Sequence, residues 1–190
     1  MTLSLPIDAD ANELLSRSPL ALLTGMLLDQ QVTFEKAFTS PRDLVRRLGH
    51  EPTARELADY DPQALVAIFS KRPALHRYPR AMAARVQQMC ALIVDRYGGD
   101  PANVWAGAAT GSELLARISA LPGFGPDKSR IFVALLGKQY GVRPDGWREA
   151  AGHFGEEGSH CSVADIVDTD SLAAVRAYKQ SLKSAAKASR

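Results

Sequence analysis

The sequence predicts an all-α protein, and three observations carry that prediction. Apolar residues recur at spacings of three and four along most of the chain, which is the period of one helix face. A capping residue followed by proline recurs at segment starts: Ser18-Pro19, Ser40-Pro41, Asp61-Pro62, Asp100-Pro101 and, as a variant, Gly125-Pro126. Proline suits the first helical turn because its missing N–H has no intrahelical partner there. No stretch alternates apolar and polar residues as a half-buried strand would, so the expectation is about ten short helices joined by brief loops.

Taken in order, Ser18-Pro19 opens a helix to about Asp29 that is apolar from Pro19 to Leu28. Ser40-Pro41 marks a second start, and Thr53 with Glu56 forms a capping box ahead of a third. Asp61-Pro62 opens the next. A long helix follows, with Met82, Val86, Met89, Cys90, Ile93, Val94 and Tyr97 on one stripe. After Asp100-Pro101, Thr110 with Glu113 caps a helix over about 112–120, whose core face is Leu114, Leu115 and Ile118. Pro126 opens another, with Ile131, Phe132 and Leu135 inward. Trp147 to Ala151 reads as a short helix, and Ala151 to Ser162, rich in glycine, glutamate and histidine, as a surface loop. From about Thr169 a last helix turns basic, with Arg176, Lys179, Lys183, Lys187 and Arg190 on one side.

Bulk properties narrow the function. At 190 residues the chain suits a single domain with a full core. The apolar run Pro19–Leu28 is half of the roughly 20 residues that span a bilayer. Early acidic residues and no basic segment argue against a secretory leader. Two isolated cysteines, Cys90 and Cys161, offer neither an iron–sulfur cluster nor a four-cysteine zinc site, and they suit a reducing cytoplasm. The net charge is only +2, so nucleic-acid binding requires a local basic face.

The stretch "LPGFG", residues 121–125, sits between two predicted helices with Pro126 opening the second. Glycine tolerates positive φ and lets a second molecule approach the main chain. Two glycines beside a helix N-terminus leave backbone N–H groups exposed, which is an anion site suited to phosphate. The alternative is a helix–helix turn with glycine as its C-cap.

These residues resemble the helix–hairpin–helix of the HhH-GPD superfamily of base-excision DNA glycosylases. Three further stretches fit. An aspartate lies 18 residues past Asp127, at Asp145 in "GVRPDGWREA", where the family's catalytic aspartate is expected. "LLTGMLLDQQVTFEKAF" is similar to the family's early helix, which ends in a glutamine that enters the DNA stack. Gln31 is its best counterpart, with Gln30 beside it. "YPRAMAARVQQMCALIVDRYGGD" resembles the long helix that leads towards the hairpin. The likeness covers about Leu20 to Ala150.

The resemblance implies two helical lobes around a cleft within one domain, 1–190. One lobe spans 20–135 and carries the hairpin; the other combines 1–19 with 136–190. It implies double-stranded DNA with a damaged or mismatched base as partner, and a nucleotide flipped out of the stack at a cost of a few kcal/mol. Gln31 would fill the vacated space, or else cap the carbonyls of its own helix. Asp145 would stabilise the positive charge that develops on the sugar and orient water; its alternative is to N-cap Trp147–Ala151. Gly123, Phe124, Gly125, Lys128, Gln30, Gln31 and Arg80 are the expected DNA contacts, and Asp29, Tyr78 and Trp147 the expected lining of the base pocket.

The chain departs from the family pattern in three ways. Asp127 stands where bifunctional members carry a Schiff-base lysine, with Lys128 one residue on, about 100° around a helix. Pro144 and Gly146 replace the residues usual beside the aspartate, and the C-terminal cluster cysteines are missing. The expected activity is therefore a monofunctional N-glycosylase without strand nicking. It would need no cofactor, no metal site and no iron–sulfur cluster, a monovalent cation at the hairpin being the one ion the family suggests. The expected protein is monomeric, cytoplasmic and nucleoid-associated, with no membrane partner. The rival readings are a non-catalytic glycosylase-like DNA-binding protein and a helical protein whose hairpin is purely structural. Elsewhere, His76, Arg77, Tyr78 and Arg80 would meet phosphates, stack on a base or form a solvated helix start. His153, His160 and Cys161 fit no metal spacing, and Trp105 and Trp147 would also serve as packing residues.

Overall fold

In a computed structural model of the protein, which describes residues 3–188, three of the five predicted proline-led starts, Pro19, Pro62 and Pro126, open α-helices. Ten α-helices succeed one another among the described residues: α1 (Ala9–Arg17), α2 (Pro19–Leu28), α3 (Phe34–Leu48), α4 (Ala54–Asp59), α5 (Pro62–Ser70), α6 (Pro79–Tyr97), α7 (Gly111–Ser119), α8 (Pro126–Leu135), α9 (Trp147–Ala151) and α10 (Thr169–Ala188). No strand occurs among them; a single bridge joins Thr110 to Asp145. The fold is all-α, and no described helix is long and apolar enough to cross a membrane.

The caps act as their side chains dictate. Ser18, Thr53, Asp61 and Thr110 each accept a hydrogen bond from a first-turn N–H of the helix they precede. Two expected starts differ. Pro101 opens only one 3₁₀ turn, Pro101–Val104. Pro41 starts nothing: α3 begins earlier, capped by Thr33, and runs through it. A mid-helix proline removes the donor for the carbonyl four residues back, here that of Ala37, and the two hydroxyls just before it bond back to the preceding turn. Thr39 donates to the Glu35 carbonyl at 2.7 Å and Ser40 to the Lys36 carbonyl at 2.6 Å.

Helix α2 is the axis of the core, with every residue from Leu20 to Leu28 buried. Helices α1 and α3 pack against it on one side, and α4 and α5 pack on the long α6. Helices α7, α8 and α9 form a further group. The N-terminal segment reaches the C-terminal half through two bonds: Ser4 donates to the Val167 carbonyl, and the Tyr140 hydroxyl donates to that of Ser16, both at 3.1 Å. Along α6 the predicted stripe is buried at Met82, Val86, Met89, Cys90 and Ile93.

The stretch expected to be a surface loop is one only in part: Gly152, His153, Glu156, Glu157, Gly158 and His160 are exposed, and the rest is built in. After a 3₁₀ turn at Gly152–Gly155, Phe154, Cys161 and Ser162 are buried. The reason is Asp165, whose carboxylate accepts from Lys138 Nζ at 2.5 Å, Ser159 Oγ at 2.9 Å, and the N–H groups of Cys161 and Ser162 at 2.9 and 3.1 Å. Its side chain is only 3% exposed. Removing one partner of such a pair leaves the other charge buried and uncompensated. Asp165→Ala is therefore expected to lower the unfolding free energy by about 3–5 kcal/mol, read from urea denaturation. A loss under 1 kcal/mol would show that the segment orders without it.

Candidate nucleic-acid interface

The hairpin joins α7 to α8, and its two glycines serve different ends. Gly123 has φ +87°, the left-handed region that a side chain disfavours, and it is what turns the chain. Gly125 has φ −77° and ψ 177°, extended backbone open to any residue. A Cβ built on Gly125 would meet nothing within 4 Å. Glycine there answers no need of the chain itself; what it leaves bare is the approach to the backbone from outside. Both glycines are exposed. The N–H groups of Gly123, Gly125, Asp127 and Lys128 have no hydrogen-bond partner among the described residues, and they gather at the N-terminus of α8. That is the geometry of an anion site.

Phe124 departs from expectation. Its ring is 5% exposed and lies edge-on to Phe132, centroids 5.8 Å apart, so it anchors the hairpin from within instead of facing a ligand. Its N–H closes the turn onto the Leu121 carbonyl at 3.1 Å.

Behind the hairpin lies the carboxyl end of α2. The Leu27 carbonyl accepts from Lys128 Nζ and from Gln30 Nε2, both at 2.9 Å. Gln30 also accepts from Arg85 at 3.1 Å through its side-chain oxygen, and its backbone carbonyl faces His76 Nε2 at 2.9 Å. Because the other ring nitrogen of His76 accepts from the Tyr78 N–H at 2.9 Å, the proton sits on Nε2 and the imidazole is a neutral strut. Burial pushes its pKa down. His76 is 2% exposed, so neither reading of it as a phosphate contact or a solvated helix start holds.

Asp29 caps this helix end with its backbone and carries the half-buried carboxylate of the site. Burial raises its pKa, opposed by the positive charges of Lys179 and Lys128. Lys128 responds inversely: burial holds its amine down to about 8, with Arg85 adding to the drop and Asp29 resisting it. Neither lysine forms a direct ion pair with Asp29 among the described residues, so the carboxylate keeps lone pairs for another partner. A cavity of about 200 Å³ opens beside it, lined by Val32, Phe34, Val163, Ile166 and Lys179 among others. At about 30 Å³ per water, that is room for about six or seven waters or one small planar group.

The remaining expected residues fall in several places. Gln31 stands exposed just past α2 with φ 56°, the only described non-glycine residue of positive φ. Gln30, by contrast, is tied down by three partners. Arg80 is exposed but faces a groove between α5 and α6, with Pro62, Val66 and Gln87, and so sits apart from this cluster. Tyr78 is 44% exposed beside His76, under the Arg77 guanidinium at 5.5 Å. Trp147 is a packing residue. Its indole fills the space over Gly137, where a Cβ would come within 2.3 Å of the ring, and the residue is 8% exposed.

Asp145 lies elsewhere. It is exposed, and its backbone carbonyl accepts from Gly111 N–H at 2.7 Å, at the first residue of α7. The hairpin leaves the other end of that nine-residue helix, about 13 Å away at 1.5 Å per residue. Its side chain does not cap α9; Gly146 holds the N-cap position in the left-handed conformation, without a side-chain cap. Among the described residues, no three His, Cys, Asp or Glu side chains come together as a metal site.

Three participants escaped the sequence reading. Arg85 carries no local signal, since it is one charge on a long amphipathic helix. Lys179 was visible only as part of a basic stripe, and His76 only as one of a polar cluster.

The hairpin glycines yield a test of their separate purposes. Gly123→Ala is expected to cost about 1–2 kcal/mol of stability, the penalty of a left-handed side-chain residue. Gly125→Ala should leave stability unchanged or raise it by about 0.4–1 kcal/mol, yet weaken duplex binding. Thermal unfolding paired with fluorescence anisotropy on labelled DNA would check both. Equal losses of stability would undo the distinction.

Residues 24–189 match the family model of the HhH-GPD superfamily base excision DNA repair protein. No curated protein sequence and no solved structure matches the chain significantly.

Proposed function

The chain belongs to the HhH-GPD superfamily of base excision DNA repair proteins, and from that premise we propose that it is a monofunctional DNA N-glycosylase. Its reacting centre lies at the junction of the hairpin, the end of α2 and the root of α10. The observation that carries this is Asp29: a carboxylate beside a small cavity, one helix end from the bare hairpin amides, flanked by two cations it does not pair with.

The chemistry follows from these positions. The exposed N–H groups of Gly123 and Gly125 take a backbone phosphate, assisted by the α8 N-terminus. Gln31, with no hydrogen-bond partner among the described residues and held in an uncommon backbone conformation, enters the stack as the target nucleotide leaves it. Loss of the base puts positive charge on the sugar. An ionised Asp29 stabilises that charge and orients the incoming water. Lys128 remains a positioning cation. With a pKa of about 8 it is mostly protonated at pH 7 and therefore a poor nucleophile, and its ammonium is held on the Leu27 carbonyl. This disfavours a Schiff base and leaves water as the nucleophile. The reaction asks for no cofactor. A monovalent cation fits the hairpin as a lesser element of the proposal, since the Leu121 carbonyl accepts one bond and retains a second lone pair.

Asp145 is the second candidate for the carboxylate, supported by its offset from the hairpin and opposed by its distance from it. Base release from a panel of duplexes bearing uracil, alkylated purines or mispairs decides between them. Asp29→Asn is expected to cut turnover by 10²-fold or more with duplex binding retained, and Asp145→Asn to leave most activity. The reverse result would move the centre to Asp145, and no release from any substrate by the wild type would leave a binding protein only.

The pH profile carries the same signature. A carboxylate must be ionised to act, so a raised pKa means activity is lost, as pH falls, at a higher pH than the ordinary value of 3.8. Lys179→Gln removes a charge that favours ionisation and should shift that acid limb upward. A limb unmoved by this variant would argue against Asp29. Borohydride treatment on abasic DNA at pH 7 should trap no covalent adduct.

A further inference from the structure

Helix α10 is anchored only at its root. Leu172 and Val175 are buried, and Arg176 pairs with Glu35 at 2.6 Å, but every described side chain from Arg176 to Lys187 is exposed. These 12 residues reach about 18 Å along the helix axis. A helix segment that buries so little is not there to build the core.

Its composition says what it offers. After Asp170 the helix carries no acidic residue, and Lys179, Lys183 and Lys187 recur at intervals of four. Residues four apart lie on one face, about 6 Å apart along the axis. None of the three forms an ion pair with a described carboxylate. The row begins at the reacting centre itself, because Lys179 lines the cavity beside Asp29. A DNA strand carries one negative charge per about 3.4 Å of axis, so a cation every 6 Å meets roughly every second phosphate.

We infer that α10 is an arm that lies along the DNA backbone outward from the flipped nucleotide, with Lys183 and Lys187 each neutralising a phosphate remote from the lesion. The inference rests on the proposed glycosylase reading and deepens it. The hairpin and the arm grip the duplex at two separated places, and the centre lies where the two meet. Contacts of this kind position the protein and carry no sequence information, so the arm adds equally to binding at damaged and undamaged sites.

The salt dependence of duplex binding tests this with the whole chain. Each neutralised phosphate contributes about 0.9 to the slope of log K against log salt. The Lys183→Gln/Lys187→Gln double variant should therefore show a slope shallower by about 1.8. Over a fourfold rise in salt the wild type should lose about twelvefold more affinity than the variant does. The loss should be the same on lesion-bearing and undamaged duplexes. Both positions are exposed and outside the cavity, so an unchanged circular dichroism spectrum and melting point are expected alongside.

An unchanged slope overturns the arm. So does binding of the wild type to phosphatidylserine–phosphatidylcholine vesicles that the double variant loses while its duplex slope stays the same. In that case the lysines, with the exposed Tyr178 and Leu182 beside them, serve an anionic membrane surface. Failure of the underlying reading is distinct: the wild type would then bind no duplex, or Gly125→Ala would leave its affinity untouched.

Discussion

The structure turns on how the carboxyl end of α2 is satisfied. A helix leaves its last four carbonyls without intrahelical donors, and a helix buried along its whole length cannot send them to water. Here Gly25 and Met26 carbonyls receive the Asp29 N–H, Leu28 receives the Gln30 N–H, and Leu27 receives two side-chain donors. One of those donors, Lys128, comes from the first turn after the hairpin. His76, from the approach to α6, fixes the Gln30 carbonyl just past the helix. The requirement to pair a few polar atoms in an apolar core therefore brings the hairpin, α2 and α6 to one point.

The same arrangement sets the electrostatics. Docking Lys128 against the helix end removes its amine from water, which weakens its hold on a proton. Asp29, one residue past the helix, is drawn into the same dry region and weakens as an acid. Each charge opposes the other's shift, so the neighbours favour the charged form of both groups while burial disfavours it. A negative helix C-terminus favours the cation and disfavours the carboxylate. Lys179 acts against that second effect from the far side. The result is a carboxylate whose charged form is favoured by neighbours that do not occupy it, which is what a stabiliser of a transient cation needs.

Much of the scaffold was legible because its signals are local. Proline at N1, a capping hydroxyl and a four-residue apolar period act within one or two turns, and they placed α2, α7 and α9 within a residue or so and the starts of α5 and α8 at their prolines. Pro41 misled because the Thr33 cap upstream sets the start of α3, which then runs through the same dipeptide. The 151–162 segment misled because its order comes from Asp165, a charge beyond its own end. At the site, the hairpin was readable from LPGFG, but the side chosen by Phe124 was not, since Phe132 decides it. Asp29 and Lys128 were each visible singly. Their association spans about a hundred residues of chain, and no local pattern announces it.

The position of Asp145 follows from the chain that separates it from the hairpin. Counting 18 residues from Asp127 assumes that whatever follows α8 returns the chain to the hairpin mouth. Here α8 passes into a wider, π-type turn at Leu136–Tyr140, and Gly141 reverses the chain in the left-handed conformation. A π-type turn adds a residue to the helical repeat and so rotates everything beyond it. The Arg143 guanidinium then grips the Gly137 carbonyl at 2.7 Å, and Asp145 is delivered to the start of α7. The backbone of Asp145 is used there to join α7 to α9, where Gly111 leaves no room for a side chain against Gly146. A residue whose main chain closes a structural joint has little freedom to re-aim its carboxylate across the length of a helix. Asp29 needs no such movement, since the requirement that brings Lys128 to Leu27 has already placed it beside the cavity.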